Sequence, residues 1–142
     1  MNKVFEIACN EYGVKGIPGA SNNQRILTYF RAAGFKWVKD DETAWCAAFV
    51  NWCFWKAGLK VPGTLAARSF LTVGKSTLVP KMGDLVVLWR GTKNGELGHV
   101  GFFIREEKDG IYILGGNQSN EVNIQFFSKA QLLGYRTFSD KK

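Results

Sequence analysis

Residues 43–58 have the sequence TAWCAAFVNWCFWKAG, and this stretch decides the first half of the fold. Its apolar side chains recur with the spacing of one helix face, at Cys46, Phe49, Val50, Cys53, Phe54 and Ala57. Thr43 can cap the N-terminus, and Gly58 stands where a helix commonly ends in glycine. We therefore predict a core helix with Cys46 in its first turn and Cys53 near its middle.

Three shorter helices are predicted around this one. Residues 3–12 are weakly amphipathic and lead into a segment rich in glycine and proline. A second helix is expected over residues 24–33, with Ser21 as its cap and Gly34 as its stop. A third short helix is expected over residues 65–71.

From Gly83 onwards the pattern changes to that of strands. Residues 85–89 and 99–104 are β-rich runs joined by a turn containing glycine and asparagine, which predicts a hairpin. Residues 111–114, after the Asp109-Gly110 turn, and residues 133–138 predict two more strands. Helices first and an antiparallel sheet afterwards indicate an α+β fold.

Length and composition predict one compact unit. A chain of 142 residues with 46% hydrophobic content fits a single domain, and residues 1–142 are expected to form one. The longest apolar runs are far shorter than the ~20 residues of a membrane span, so no membrane insertion is expected. The N-terminus lacks the pattern of a signal peptide. We expect a monomer.

The net charge of +7 favours a polyanionic partner. Nucleic acid and cell wall both qualify. The basic residues are scattered, and no recognition helix, zinc finger or basic region is evident, so nucleic acid is not the expected partner.

Three cysteines and one histidine limit the possible chemistry. Seven residues of helix would put Cys46 and Cys53 about 10 Å apart, too far for a disulfide. The set is also a poor one for zinc, so neither a metal nor another cofactor is expected. The predicted state is three free thiols.

Cys46 and His99 are the candidate nucleophile and base. A helix N-terminus lowers a thiol pKa, which favours Cys46 over Cys53 in the helix interior and over Cys9. Either candidate alone is more often structural, since cysteine is commonly buried and a lone strand histidine is commonly a packing residue. Together they form the two halves of a nucleophile and base pair.

A third polar group is needed to orient the imidazole. Asn117 follows two glycines after one further strand, which would expose it beside His99 if the strands are neighbours. An ordinary turn role for Asn117 is the alternative, and Asp109, Gln118 and Glu106 remain possible orienting groups.

These residues form motifs that resemble a known family. Residues 41–52, 83–86, 98–101 and 114–118 are similar, in this order, to the CHAP and NlpC-type cell-wall hydrolases, and closest to a short phage- and prophage-associated group. The resemblance runs from about Glu11 to Arg136. It implies a papain-like fold, with helices packed on a small antiparallel sheet and the nucleophile at a helix N-terminus. One departure is that glycines stand just before Asn117, where CHAP enzymes often carry an acidic residue.

The resemblance also implies peptidoglycan as the partner and hydrolysis of an amide bond by Cys46, His99 and Asn117. Trp45, Asp41 and Glu42 would line the peptide-binding cleft, although Trp45 is equally suited to a core position. No separate wall-binding domain is evident in the sequence.

The expected setting is a phage endolysin that is made in the cytoplasm and reaches the wall through a holin. The alternatives are an injected effector with amidase, deamidase or transferase activity, and a non-catalytic peptidoglycan-binding module.

Overall fold

The computed structural model describes residues 2–15, 24–32, 34 and 45–139. Within them lie three α-helices and a six-stranded antiparallel sheet, so the predicted α+β class is confirmed. The helices are α1 (Lys3–Cys9), α2 (Gln24–Ala32) and α3 (Cys46–Lys56), with two 3-10 helices at Ala67–Thr72 and Lys129–Gln131. The strands are β1 (Lys75–Thr77), β2 (Leu85–Trp89), β3 (Gly98–Glu106), β4 (Gly110–Gln118), β5 (Glu121–Ser128) and β6 (Leu132–Thr137).

Helix α3 is the central element, as its sequence pattern predicts. Every residue from Cys46 to Phe54 is buried, because α1, α2 and the sheet all pack against it. The helix ends where predicted: Gly58 has φ +77°, and the backbone N–H of Leu59 donates to Phe54 O at 3.0 Å. Trp45 precedes the helix and provides no side-chain cap, while the predicted cap Thr43 lies outside the described residues.

A buried carboxylate joins α2 to the end of α1. Glu11 accepts hydrogen bonds from Arg25 Nε at 2.6 Å and from Tyr29 Oη at 2.8 Å. The Arg25 guanidinium also lies 5.0 Å from the centre of the Trp52 ring on α3. A buried charge is tolerated only when it is paired in this way, so these contacts link the end of α1 to α2 and α3.

The sheet has the strand order β1-β6-β2-β3-β4-β5, with apolar side chains on both faces. One face packs on the helices through Val87, Val100, Phe102 and Leu114. The other carries a second, smaller core of Val86, Leu88, Phe103, Ile111, Ile113 and Tyr135. Alternation along β3 therefore puts Val100 and Phe102 on the helix side and Phe103 on the opposite side.

The predicted strands are present, and two further strands were not predicted. β2 and β3 form the expected antiparallel hairpin, β4 follows the Asp109-Gly110 turn, and β6 closely matches the strand expected over residues 133–138. β1 and β5 are additional. The short helix expected over residues 65–71 is a 3-10 helix at Ala67–Thr72, and the predicted cap Ser21 lies outside the described residues. None of the helices in the described ranges is long and apolar enough to cross a membrane.

Candidate active site

Cys46 is the first residue of α3, where the backbone N–H groups of the first turn have no partner within the helix. The residue is 7% exposed, so its thiol is largely enclosed. The positive end of the helix dipole favours a negative charge at this position. The sequence prediction for the position of Cys46 on its helix is thus confirmed.

His99 is the second residue of β3 and is 1% exposed. Its ring stacks on Phe127 of β5, with centroids 5.1 Å apart and an interplanar angle of 26°. The pairing of β3 with β4 begins at Phe102 and Leu114, so His99 and Val100 lie beyond the paired part of these two strands.

The surroundings of Cys46 lower its pKa. Burial raises the pKa of the thiol, but His99, the backbone N–H of Val100 and the charge of Arg90 together outweigh burial. The pKa of Cys46 consequently lies below its ordinary value. A lowered thiol pKa in a polar, partly enclosed site is a property of nucleophilic cysteines.

The other two thiols are shifted in the opposite direction. Burial raises the pKa of Cys53 well above its usual range, and the negative charge of Glu11 raises it further. Burial and the charge of Glu6 also raise the pKa of Cys9. All three cysteines are free, as predicted, and among them only Cys46 has a lowered pKa.

The two ring nitrogens of His99 have different environments. Nε2 lies 2.9 Å from Oε1 of Gln118. Nδ1 is buried and has no hydrogen-bond partner in the described part of the chain. Since Nε2 contacts Gln118, Nδ1 is the ring nitrogen that remains for an interaction with Cys46.

Among the described residues, the side chain that hydrogen-bonds to the His99 ring is that of Gln118, so the choice of Asn117 needs correction. Between the pairs Gly115–Asn123 and Gln118–Glu121, β4 advances three residues while β5 advances two. This extra residue is a β-bulge, and it returns Gln118 to the face of Gly115 that simple alternation would give to Asn117. Asn117 itself has φ +58°, a left-handed conformation that asparagine adopts more readily than most residues. The turn role is the alternative that the structure favours.

Two glycines make room for the site. A Cβ on Gly115 would lie 2.4 Å from Gln118 Oε1 and 3.3 Å from His99 Nε2. A Cβ on Gly116 would lie 2.8 Å from atoms of both Phe49 and Trp45. Gly115 thus leaves space for the polar contact, and Gly116 lets β4 approach α3 closely.

Trp45 is a core residue, which corrects its predicted place in a binding cleft. Its side chain is 0% exposed, its ring centroid is 5.9 Å from that of Tyr29, and its Nε1 donates to Asn120 Oδ1 at 3.4 Å. Its role is to hold the start of α3 against α2 and the β4–β5 turn. Asp41 and Glu42, the other predicted cleft residues, lie outside the described residues.

Arg68, in the 3-10 helix Ala67–Thr72, binds the loop before His99 and was not predicted. Its guanidinium donates to the carbonyls of Thr92, Lys93 and Leu97, each at 2.7 Å. A single arginine in a short helical segment carries no sequence signal for such a contact, because the carbonyls lie 24 to 29 residues away. These three hydrogen bonds fix the loop that leads into β3.

Comparison with known proteins adds a family match. The chain matches the CHAP domain over residues 38–117, a range that contains Cys46 and His99 and ends one residue before Gln118. No curated protein matches the chain. The match indicates amidase or peptidase activity of the type found in peptidoglycan hydrolases.

Proposed function

The chain belongs to the CHAP family, and on that premise we propose that it is a peptidoglycan hydrolase that cleaves an amide bond with Cys46 as nucleophile and His99 as base. The observation that carries this proposal is the lowered pKa of Cys46 at the first turn of α3, with His99 as the main cause of the lowering. Burial and the charge of Glu11 raise the pKa of Cys53 on the same helix, so the two thiols differ because of their neighbours.

Acylation is the first half of the proposed reaction. His99 takes the thiol proton at Nδ1, and the Cys46 sulfur attacks the amide carbonyl carbon to form a carbon–sulfur bond. The backbone N–H groups at the start of α3, including that of Cys46, stabilise the negative oxygen that develops. His99 then gives its proton to the leaving nitrogen as the carbon–nitrogen bond breaks.

Deacylation regenerates the enzyme. His99 removes a proton from water, the hydroxide attacks the thioester carbonyl, and the carbon–sulfur bond breaks to release a carboxylic acid. The proton on Nδ1 returns to the Cys46 sulfur. No cofactor takes part in these steps, since each proton and each electron pair is accounted for by Cys46, His99, water and the amide.

Charge supports a polymeric acidic substrate. The net charge of +7 attracts the anionic polymers of a bacterial wall and increases the rate of encounter. We propose that the catalytic domain itself supplies this attraction. The fold that we propose is papain-like. In it the six-stranded sheet carries His99 and helix α3 carries Cys46.

The biological setting that we propose is lysis by a phage enzyme that reaches the wall after release from the cytoplasm. An injected effector with the same Cys46 and His99 chemistry is the second setting. The two settings share the same Cys46 and His99 site, and they differ in the substrate of the enzyme.

Mass spectrometry of fragments released from purified peptidoglycan tests the proposal. The parent protein should release fragments with a new carboxyl and a new amine, and their masses identify the bond that is cut. Cys46→Ala should release none, and Cys53→Ala is the matched control, being the same substitution in the same helix. A folded parent that releases no fragment from peptidoglycans of several chemotypes, or a fully active Cys46→Ala, contradicts the proposal.

A further inference from the structure

We propose that Arg90 forms a subsite for a carboxylate of the substrate beside Cys46, so that the favoured substrates carry a free carboxylate close to the amide bond that is cut. The identity of the substrate rests on the proposed function. The binding of an anion beside the thiol does not rest on it, and a small alkylating reagent tests this binding without peptidoglycan.

The register of the β2–β3 hairpin puts Arg90 on the same face of the sheet as His99. Leu88 and His99 lie directly opposite each other, and the pairing continues to Arg90, whose backbone N–H donates to Leu97 O at 3.0 Å. Alternation returns every second residue to one face, so Arg90 follows Leu88 on the face of His99. Arg90 and His99 are thus diagonal neighbours across two paired strands, a separation that a long side chain can span.

The Arg90 side chain is exposed, and no neighbouring carboxylate neutralises it. Arg25 and Arg105 bind carboxylates, and Arg136 binds backbone carbonyls. Within the described ranges, no hydrogen bond or ion pair joins the Arg90 guanidinium to another group. Glu96, the acidic residue of the 91–97 loop, is also exposed and forms no ion pair with it. The five N–H groups of this guanidinium are therefore available to an anion.

The loop that follows Arg90 is held in one shape by Arg68. The guanidinium of Arg68 donates to the carbonyls of Thr92, Lys93 and Leu97. The backbone that carries Arg90 is therefore fixed before a ligand arrives. A fixed backbone lowers the entropy that is lost on binding.

The charge of Arg90 acts on the Cys46 sulfur, where it is one cause of the lowered pKa. A carboxylate bound to Arg90 is therefore held in the neighbourhood of the reacting sulfur. Of the groups that lower this pKa, Arg90 has the smallest effect and His99 the largest. Removal of Arg90 should consequently leave most of the activation of Cys46 in place, so binding and activation can be measured separately.

A carboxylate is the anion that best fits this position in a peptide substrate. The planar fork of an arginine donates two parallel hydrogen bonds to the two oxygens of a carboxylate. Leu97, directly across the hairpin from Arg90, is 69% exposed and offers an apolar surface beside the fork. We therefore expect a stem peptide with a free carboxylate next to the scissile amide to bind better than the same peptide with that carboxyl amidated.

Alkylation with two reagents tests the subsite without a substrate. Iodoacetate and iodoacetamide are nearly equal in size, and each alkylates a thiolate with loss of iodide, but only iodoacetate is an anion. The ratio of their rates at Cys46 is independent of the thiolate fraction, because both react with the same thiolate. Arg90→Gln should lower the ratio of the iodoacetate rate to the iodoacetamide rate by about 3- to 10-fold, with Arg90→Lys in between. An unchanged ratio in Arg90→Gln overturns the proposal.

Arg31→Gln is the matched control for the loss of charge. Arg31 is exposed in the last turn of α2, where it lines a hollow with Trp52 and Trp55 in the second half of α3. This variant changes the net charge by the same amount, so it measures the general attraction of an anion to a basic protein. Its ratio of alkylation rates should equal that of the parent. An equal fall in Arg31→Gln and Arg90→Gln would assign the effect to net charge and overturn the subsite.

A pair of soluble stem peptides extends the test to catalysis. Both contain the bond that the parent cuts, and they differ only in whether the carboxyl next to it is free or amidated. The parent should have a kcat/KM about 3- to 10-fold higher for the free acid, and Arg90→Gln should remove this preference. Arg90→Glu should reverse it. A change in the thiol pKa affects both peptides equally, so a merely structural or activating role of Arg90 leaves the preference unchanged and contradicts the proposal.

Failure of the proposed function and failure of this inference give different results. A parent that cleaves no peptidoglycan but prefers iodoacetate in an Arg90-dependent manner has the anion subsite without the hydrolase activity. A parent that cleaves peptidoglycan, with both ratios independent of Arg90, is a hydrolase without this subsite.

Discussion

Helix α3 carries two buried thiols whose surroundings give them opposite properties. Cys46 at the first turn has a lowered pKa, and Cys53 two turns later has a pKa raised well above its usual range. Both are nearly inaccessible to water, so burial opposes the thiolate at both positions.

The difference in pKa comes from the groups that surround each sulfur. Cys46 meets His99, the backbone N–H of Val100 and the charge of Arg90, all of which favour a thiolate. Cys53 lies in the buried hydrophobic core, and the largest charge effect on it comes from the negative Glu11. Two cysteines on one helix thus differ in pKa because a histidine of a neighbouring strand acts on only one of them.

Removal of His99 should abolish most of the difference between Cys46 and Cys53. His99→Ala is expected to lower the rate of peptidoglycan cleavage by about 10²- to 10⁴-fold, the usual contribution of a general acid–base group. It should also slow alkylation of Cys46 by iodoacetamide at neutral pH toward the rate of Cys53. Phe127→Leu is the control, because it removes the ring stacked on His99 while leaving the imidazole present. A His99→Ala protein with the parent alkylation rate at Cys46 would show that the histidine does not activate this thiol.

Alkylation of the parent protein as a function of pH should rank the three thiols by their reactivity. The reactive form is the thiolate, so a lowered pKa extends the reaction of Cys46 to pH values below the ordinary cysteine value of about 8.5. The raised pKa values of Cys9 and Cys53 require a higher pH for the same thiolate fraction. Peptide mapping after brief treatment near pH 6 should find the label on Cys46. Equal labelling of Cys46 and the exposed Cys9 at that pH would remove the case for activation.

Substitution of Asn117 should have a much smaller effect than substitution of Gln118. Asn117 provides the left-handed backbone of the bulge, so Asn117→Gly should retain activity within a few-fold of the parent. Asn117→Ala should cost about 1 kcal/mol of stability, because alanine tolerates φ +58° less well. Chemical denaturation and initial rates measure the two effects. A loss of kcat in Asn117→Gly equal to that in Gln118→Ala would restore Asn117 as the orienting group.

The smallest effects are expected at the two thiols that the mechanism does not use. Cys53→Ala should lower the free energy of unfolding by roughly 1 kcal/mol, the scale of a small truncation in a core, and should retain activity. Cys9→Ala, at an exposed position, should change it by less than about 0.5 kcal/mol. Urea unfolding of both variants checks this order. Loss of catalysis by a folded Cys53→Ala would place the second thiol in the reaction.

Much of the fold, and the positions of Cys46 and His99 within their elements, were predictable from local patterns. The apolar spacing of residues 46–57 and the glycine at position 58 define α3, because both are read within a few turns of one helix. The β-rich runs on either side of the 91–97 loop define the β2–β3 hairpin for the same reason. The sequence by itself therefore put Cys46 at a helix N-terminus and His99 near the start of a strand.

The tertiary structure alone decided which polar group meets the imidazole. Alternation along β4 favours Asn117, and the bulge against β5 reverses that choice in favour of Gln118. A bulge depends on the register between two strands. No strand was predicted at β5, so no local pattern in the sequence could reveal the extra residue. The burial of Trp45 was decided in the same way, by the approach of Gly116 and Tyr29 from elements distant in sequence. Periodicity determines the face that a residue has within its own element, and only packing between elements determines what that face meets.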